Sequence, residues 1–180
     1  ICESISASFQ VMGVAPMVLI NVLDPAKHKK ALAETEVQIN SGVAVLEVQG
    51  VLLDGLVVKA GDTALTAGED FTTAWNSDGT LNIVVIPGGN ASKATALTVS
   101  GNQLDPSMVT DAEIVGSVDV NTGKETGMEV LRQVYPLLSM IPGLVIAPRF
   151  SKHPTVAAAL QAKTKGLNGV FKCNCIVDID

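Results

Sequence analysis

Ser151, His153 and Asp178 are the residue types of a catalytic triad. Ser151 and His153 follow the apolar run Leu144–Ala147, and Asp178 ends a second apolar run, so neighbouring strand ends could gather all three. That set would support hydrolysis by a serine nucleophile. The surrounding pattern argues otherwise. No G-x-S-x-G turn precedes the serine, and Pro154 directly after His153 marks the loop as the lead-in to a helix. No nucleophile is assigned, and the chain is read as a non-enzyme.

Arg149, Ser151 and Lys152 make a second candidate, because a strand-loop-helix junction aims backbone N–H groups at an anion and two cations would strengthen it. Neither the dinucleotide glycine pattern nor a phosphate-binding P-loop occurs in the sequence. Asp178 and Asp180 could share a metal with Asp119 or Glu125, yet acidic residues where a strand meets solvent need no ligand to explain them. Cys173 and Cys175 read as core-filling residues on one strand face with Phe171 and Val177. Lys27 to Lys30 read as a solvated helix face, and the Asn90-Ala91-Ser92 sequon as unused. No catalytic, cofactor-binding or metal-binding residue is expected, and no cofactor.

The elements that would carry these residues follow from pattern. Near the end, a strand Leu144–Ala147, a helix from Pro154 to about Leu167 stopped at Gly169, and a strand Phe171–Ile179 form a β-α-β unit. Its two strands should be parallel and lie in a sheet covered by helices. Near the start, the continuous apolar run Pro16–Leu23 reads as a buried strand, with Asp24-Pro25 capping a helix over the charged residues after it. From about Thr35 to Leu104 the texture changes to short β-prone runs, EVQIN, VAVLEV, LVVK, FTTAW, TLNIVVI and ATALTV. Asn76-Ser77-Asp78-Gly79 joins two of them as a hairpin turn. Capping boxes at Thr110…Glu113 and Thr126…Glu129 open two later helices. Met128, Leu131 and Tyr135 share the core face of the second, and Pro136 ends or kinks it. The expected architecture is α+β. Residues 1–34 and 105–180 make one discontinuous α/β domain, and 35–104 an inserted antiparallel sandwich or small barrel.

Composition narrows the function classes. The 180 residues are 47% hydrophobic, 17% charged and 3% aromatic, with a net charge of −6, which suits a folded core and opposes a nucleic-acid-binding surface. The longest apolar run is too short to span a membrane. Three cysteines, two of them two residues apart, fit a reducing cytosolic history and neither a disulfide framework nor a zinc site. The chain lacks an initiator Met and a signal peptide and closes on a strand, so it reads as an internal piece of a longer protein.

Four stretches carry a likeness: APMVLINVLDPAKHKK, GEDFTTAWNSDGTLNIVVI, LDPSMVTDAEIVGSVDVNTGKETGMEVL and IPGLVIAPRFSKHPTVAAALQAKTKGLNGVFKCNCIVDID. Taken in order, they resemble the tail sheath proteins of contractile-tailed bacteriophages and related prophage-derived particles. Many relatives have Gly after the strand-terminating proline, where this chain has Arg149. The resemblance implies an α/β part, an inserted β domain on the outside of the tail, and a further C-terminal domain. It also implies a structural role in which copies of the protein polymerise helically around the tail tube and contract for genome ejection. The implied partners are other copies, the tail tube protein and the baseplate, with no nucleic acid and no membrane. The implied location is the virion tail, after synthesis in the host cytoplasm. An α/β hydrolase or nucleotide-binding enzyme with a β insertion, and a carbohydrate-binding or adhesion module, are the alternative readings.

Overall fold

The computed structural model describes residues 5–11, 13 and 15–179. The chain is a mixed α/β protein that divides into two compact units, one spanning Asp24–Met108 and the other made of the residues up to Leu23 together with those from Val109 onward.

The first unit is built of β-strands, with one 3-10 turn at Pro106–Met108. Its strands are β1 (Lys29–Asn40), β2 (Val43–Leu46), β3 (Val51–Ala60), β4 (Thr63–Ala64), β5 (Phe71–Trp75), β6 (Leu81–Val85) and β7 (Ala96–Leu104), in the order β4-β3-β7-β1-β2-β6-β5. All the pairings are antiparallel. Alternation decides the faces: in β6, Leu81 and Ile83 are fully buried while Asn82 between them is only half-buried. Register shifts between Leu32 and Thr35 in β1 and between Leu52 and Val57 in β3 bend the sheet. It curls around one apolar core that includes Leu46, Val58, Phe71, Leu81, Ile83 and Leu97. The expected hairpin forms between β5 and β6, with Asn76 N–H donating to Thr80 O at 2.9 Å and Gly79 at φ 84°, a left-handed value that suits glycine.

Each β-prone run seen in the sequence overlaps a strand of this sheet, but the start of the sheet was misplaced. Asp24-Pro25 begins a single turn, with Lys27 and His28 N–H donating to Asp24 O, and the chain enters β1 at Lys29. The helix expected there does not form. Residues such as Ala31, Leu32 and Glu34 favour helix locally, but β1 pairs with β7 from Lys29↔Leu104 to Gln38↔Ala96, and that ladder outweighs a weak intrinsic preference. The unit is therefore wider than the expected 35–104. The run Pro16–Leu23, expected as a buried strand, belongs to no strand, and Leu19 in it is exposed.

In the second unit, α1 (Asp111–Val115) opens on the expected capping box: Thr110 accepts from Glu113 N–H, and the Glu113 carboxylate accepts from Thr110 N–H at 2.9 Å. The second expected box is absent. Thr126 makes no side-chain cap, because its hydroxyl is drawn to Ser117, whose N–H it accepts at 3.0 Å. The segment after it is a 3-10 helix, Gly127–Gln133, continued by α2 (Val134–Leu138). Pro136 lies inside this helical run, which changes from 3-10 to α at Val134 and stops at Leu138, two residues past the proline. Met128 and Leu131 are buried as expected, whereas Tyr135 is half-exposed and packs its ring on Phe171 at 5.0 Å.

The β-α-β unit is present: β8 (Leu144–Ile146), α3 (Pro154–Thr164) and β9 (Asn174–Ile176), with β8 and β9 parallel. α3 buries Val156 and Leu160 completely, against Met128, Leu131 and Leu167. Two details differ from expectation. α3 stops at Thr164, before Leu167 and Gly169, as Thr164 O turns to accept Cys173 N–H at 3.0 Å. β9 is only three residues long, and the sheet is covered on one face alone. Val145 and Cys175 pack toward α3, while Leu144, Ile146 and Ile176 on the other face are exposed, because the described residues supply a single helix to this sheet.

Candidate functional site

The loop between β8 and α3 holds the residues that the sequence singled out. It is a tight turn in which Phe150 and Ser151 N–H both donate to Ala147 O. That turn tucks Ser151 inward, leaving it 2% exposed. The parallel register brings the end of β9 alongside. Ser151 Oγ donates to Asp178 Oδ2 at 2.8 Å and accepts from Asp178 N–H at 3.0 Å, while Arg149 N–H also donates to Asp178 Oδ2 at 3.2 Å.

The structure thus unites two members of the candidate triad and excludes the third. His153 sits at the start of α3 and turns its Nδ1 to Asp111 Oδ1 at 2.6 Å, with its ring nearly perpendicular to that of Phe150. A triad needs the imidazole between hydroxyl and carboxylate to take the hydroxyl proton. Here the serine proton is already on a carboxylate hydrogen bond, and a serine lone pair is occupied by an N–H. The hydroxyl is also buried from any substrate. What the arrangement does chemically is tie the loop after β8 to the chain after β9.

The anion-site reading meets the same carboxylate. Arg149 N–H, which would face a bound phosphate, is directed at Asp178, so an anion would have to displace an internal one. Arg149 adopts φ 73°, the left-handed conformation that glycine tolerates best.

The acidic residues weighed as metal ligands do not converge. Asp119 caps its own loop, accepting Asn121 and Thr122 N–H at 2.8 and 3.0 Å, and those donors, Thr122 first, hold its carboxyl below the usual range. Glu125 is lowered chiefly by its hydrogen bond from Arg132, and also accepts from Gln133 at 3.0 Å. Asp178 is taken by Ser151, and Asp180 lies outside the described residues. Among the described residues no three of His, Cys, Asp or Glu group together as a metal site. Cys173 and Cys175 pack against the helical core with Phe171, Val177 is half-buried, and burial pushes the Cys173 thiol up. Asn90 is exposed, and its N–H is held by Asp70 at 2.8 Å.

Two features were not read from the sequence. One is a chain of charges around the 3-10 helix: Arg132 bridges Glu125 and Glu129, and Lys163 of α3 reaches Glu129. A shallow depression of about 330 Å³ lies beside it, lined in part by Arg132, Gln133, Leu137 and Asn168. The other is Asp70, buried in the β unit, where it accepts Thr66 and Asn90 N–H at 2.8 Å each and joins two loops. The only cue available was chemical type, since neither partner lies at a diagnostic spacing.

No family model matches the chain, and no solved structure matches it. It is similar to the tail sheath protein of Burkholderia phage BcepMu, with 29% identity over 163 residues, which cover 88% of this chain and 33% of that protein. The chain therefore spans about a third of the length of the curated relative it matches. No helix among the described residues is long and apolar enough to cross a membrane.

Proposed function

We propose that this chain is part of a structural subunit of a contractile phage or prophage-derived tail sheath, polymerising helically around the tail tube and contracting to drive ejection. The observation that carries this reading is the 29% identity with a phage tail sheath protein across 88% of the chain. The candidate site is consistent with it: the residues that could have formed a hydrolase instead form an internal tie, which suits a protein whose work is mechanical. The partners are other copies of the sheath protein, the tail tube and the baseplate; the location is the virion tail. The unit 24–108, a curled sheet around its own core, fits an inserted sandwich or small-barrel domain carried by the α/β part.

The test is co-expression of the full-length protein with the tube protein encoded beside it, followed by negative-stain electron microscopy. Sheathed tubes, or hollow polymers wider than the tube alone, are expected. A full-length protein that remains dispersed with and without the tube protein would overturn the proposal.

A further inference from the structure

The β unit opens and closes on the same dipeptide: the chain enters it at Asp24-Pro25 and leaves it through Asp105-Pro106. Proline has no N–H, so at each place the aspartate supplies the last backbone donor before the turn. Both donors go to one residue. Asp24 N–H donates to His28 Nδ1 at 2.9 Å, and Asp105 N–H donates to His28 O at 2.9 Å. His28 returns its own N–H to Asp24 O at 2.8 Å and sits just before β1, where Lys29 pairs with Leu104. It is 3% exposed.

An imidazole nitrogen that accepts a hydrogen bond carries no proton, so the bond from Asp24 N–H selects the neutral ring. Protonation makes Nδ1 a donor facing a donor and takes the acceptor away from Asp24 N–H. The carboxylates close to this point are already engaged. Asp24 Oδ1 accepts Ala26 N–H at 2.9 Å, while Asp105 accepts the Ser107 hydroxyl at 2.6 Å and lies 3.3 Å from Lys30 Nζ. The Ser107 hydroxyl first, and its N–H second, hold the Asp105 carboxyl below the usual range. It therefore stays ionised through roughly pH 5 to 8, where imidazole changes its charge. The other charged groups on the turn and β1 near the ring are Lys27, Lys29 and Lys30, and β3, next to β7 in the sheet, begins with the uncharged Val51 and Leu52.

We propose that His28 is an acid-released clasp: the neutral ring holds both ends of the β unit's chain, and protonation frees the Asp24 turn and with it the Asp105 connector. The clasp does not depend on the sheath reading. The chain has one other histidine, His153, and its Nδ1 faces the Asp111 carboxylate, a bond that a protonated ring keeps. Because the closed clasp belongs to the neutral form, closure is complete above the imidazole range and is lost as pH falls through it. For one proton the loss is at most about tenfold per pH unit.

Backbone amide exchange followed by NMR on the 180-residue chain tests this at about pH 7.5 and about pH 5.5, on either side of the usual imidazole range, with each rate divided by the intrinsic rate at its pH. Protection of the Asp24 and Asp105 amides should fall about tenfold between the two, while amides around the fully buried Val99 in the middle of β7 keep theirs. His28→Gln, whose side-chain oxygen accepts but does not titrate, should make protection at both amides independent of pH. His153→Gln should behave as the parent does. Protection in the parent that is flat with pH would overturn the clasp, as would a fall that persists in His28→Gln, vanishes in His153→Gln or extends to Val99. If His28→Gln does not fold, the parent decides alone: the Asp24 amide shift must titrate with the His28 ring protons, and separate midpoints would overturn the proposal.

Discussion

Gly116 ends α1 at φ 76° and ψ −179°, a backbone region that essentially only glycine occupies. A Cβ there would lie 1.8 Å from Thr126 O and 2.5 Å from Thr126 C, both backbone atoms that cannot swing aside. Gly127 faces it, with its own added Cβ only 2.4 Å from Glu113 O. Gly116→Ala therefore carries two costs: about 1–3 kcal/mol for the backbone conformation and about 1–3 kcal/mol for overpacking. Gly123→Ala separates them, because Gly123 also has a positive φ, 69°, but nothing lies within 4 Å of its added Cβ. It should cost about 1 kcal/mol. The assay uses the placement of the aromatic probes. Trp75, the one tryptophan, lies in β5 of the β unit, and Gly116 lies in the other unit, whose core shares no residue with it. In urea, far-UV circular dichroism should show an early loss of helix for Gly116→Ala, while the Trp75 fluorescence midpoint stays that of the parent. If Gly116→Ala costs no more than Gly123→Ala, or the Trp75 midpoint shifts with it, the reasoning about this close approach and about separate cores is wrong.

Three further outcomes are expected. Arg149→Gly should stabilise the protein by about 0.5–1 kcal/mol, relief of the φ 73° strain exceeding the entropy that glycine adds to the unfolded chain, and a lower thermal midpoint would refute this. Ser151→Ala should destabilise by about 1–3 kcal/mol through loss of its paired bonds with Asp178, and the parent should hydrolyse neither ester nor phosphoester substrates. Turnover that disappears in the variant would restore the hydrolase. Asp70 has its carboxyl held below the usual range by Thr66 N–H first and Asn90 N–H second, so its stabilising effect is present above the unfolded value near pH 4 and is lost as pH falls through the lower folded value. The Trp75 transition should weaken across that acidic window in the parent and less so in Asp70→Asn; equal slopes would refute the assignment.

Local chemistry was enough for much of this protein. Strands of the β unit were legible because alternation with turn residues such as Asn76-Ser77-Asp78-Gly79 is a local signal, and the Thr110…Glu113 cap and the parallel β8–α3–β9 crossover were legible for the same reason. The likeness to tail sheath proteins also lay in the wording of the sequence. Tertiary structure decided what depended on distant partners. Whether Lys29–Glu34 is helix or strand was settled by β7, some seventy residues away, and whether Thr126 caps a helix was settled by Ser117. Ser151 and Asp178 were recognised as neighbours from topology, but only packing showed that His153 is drawn aside to Asp111, turning an apparent triad into a structural tie. Side-chain type and spacing state which hydrogen bonds are possible; the folded backbone selects which donor reaches which acceptor.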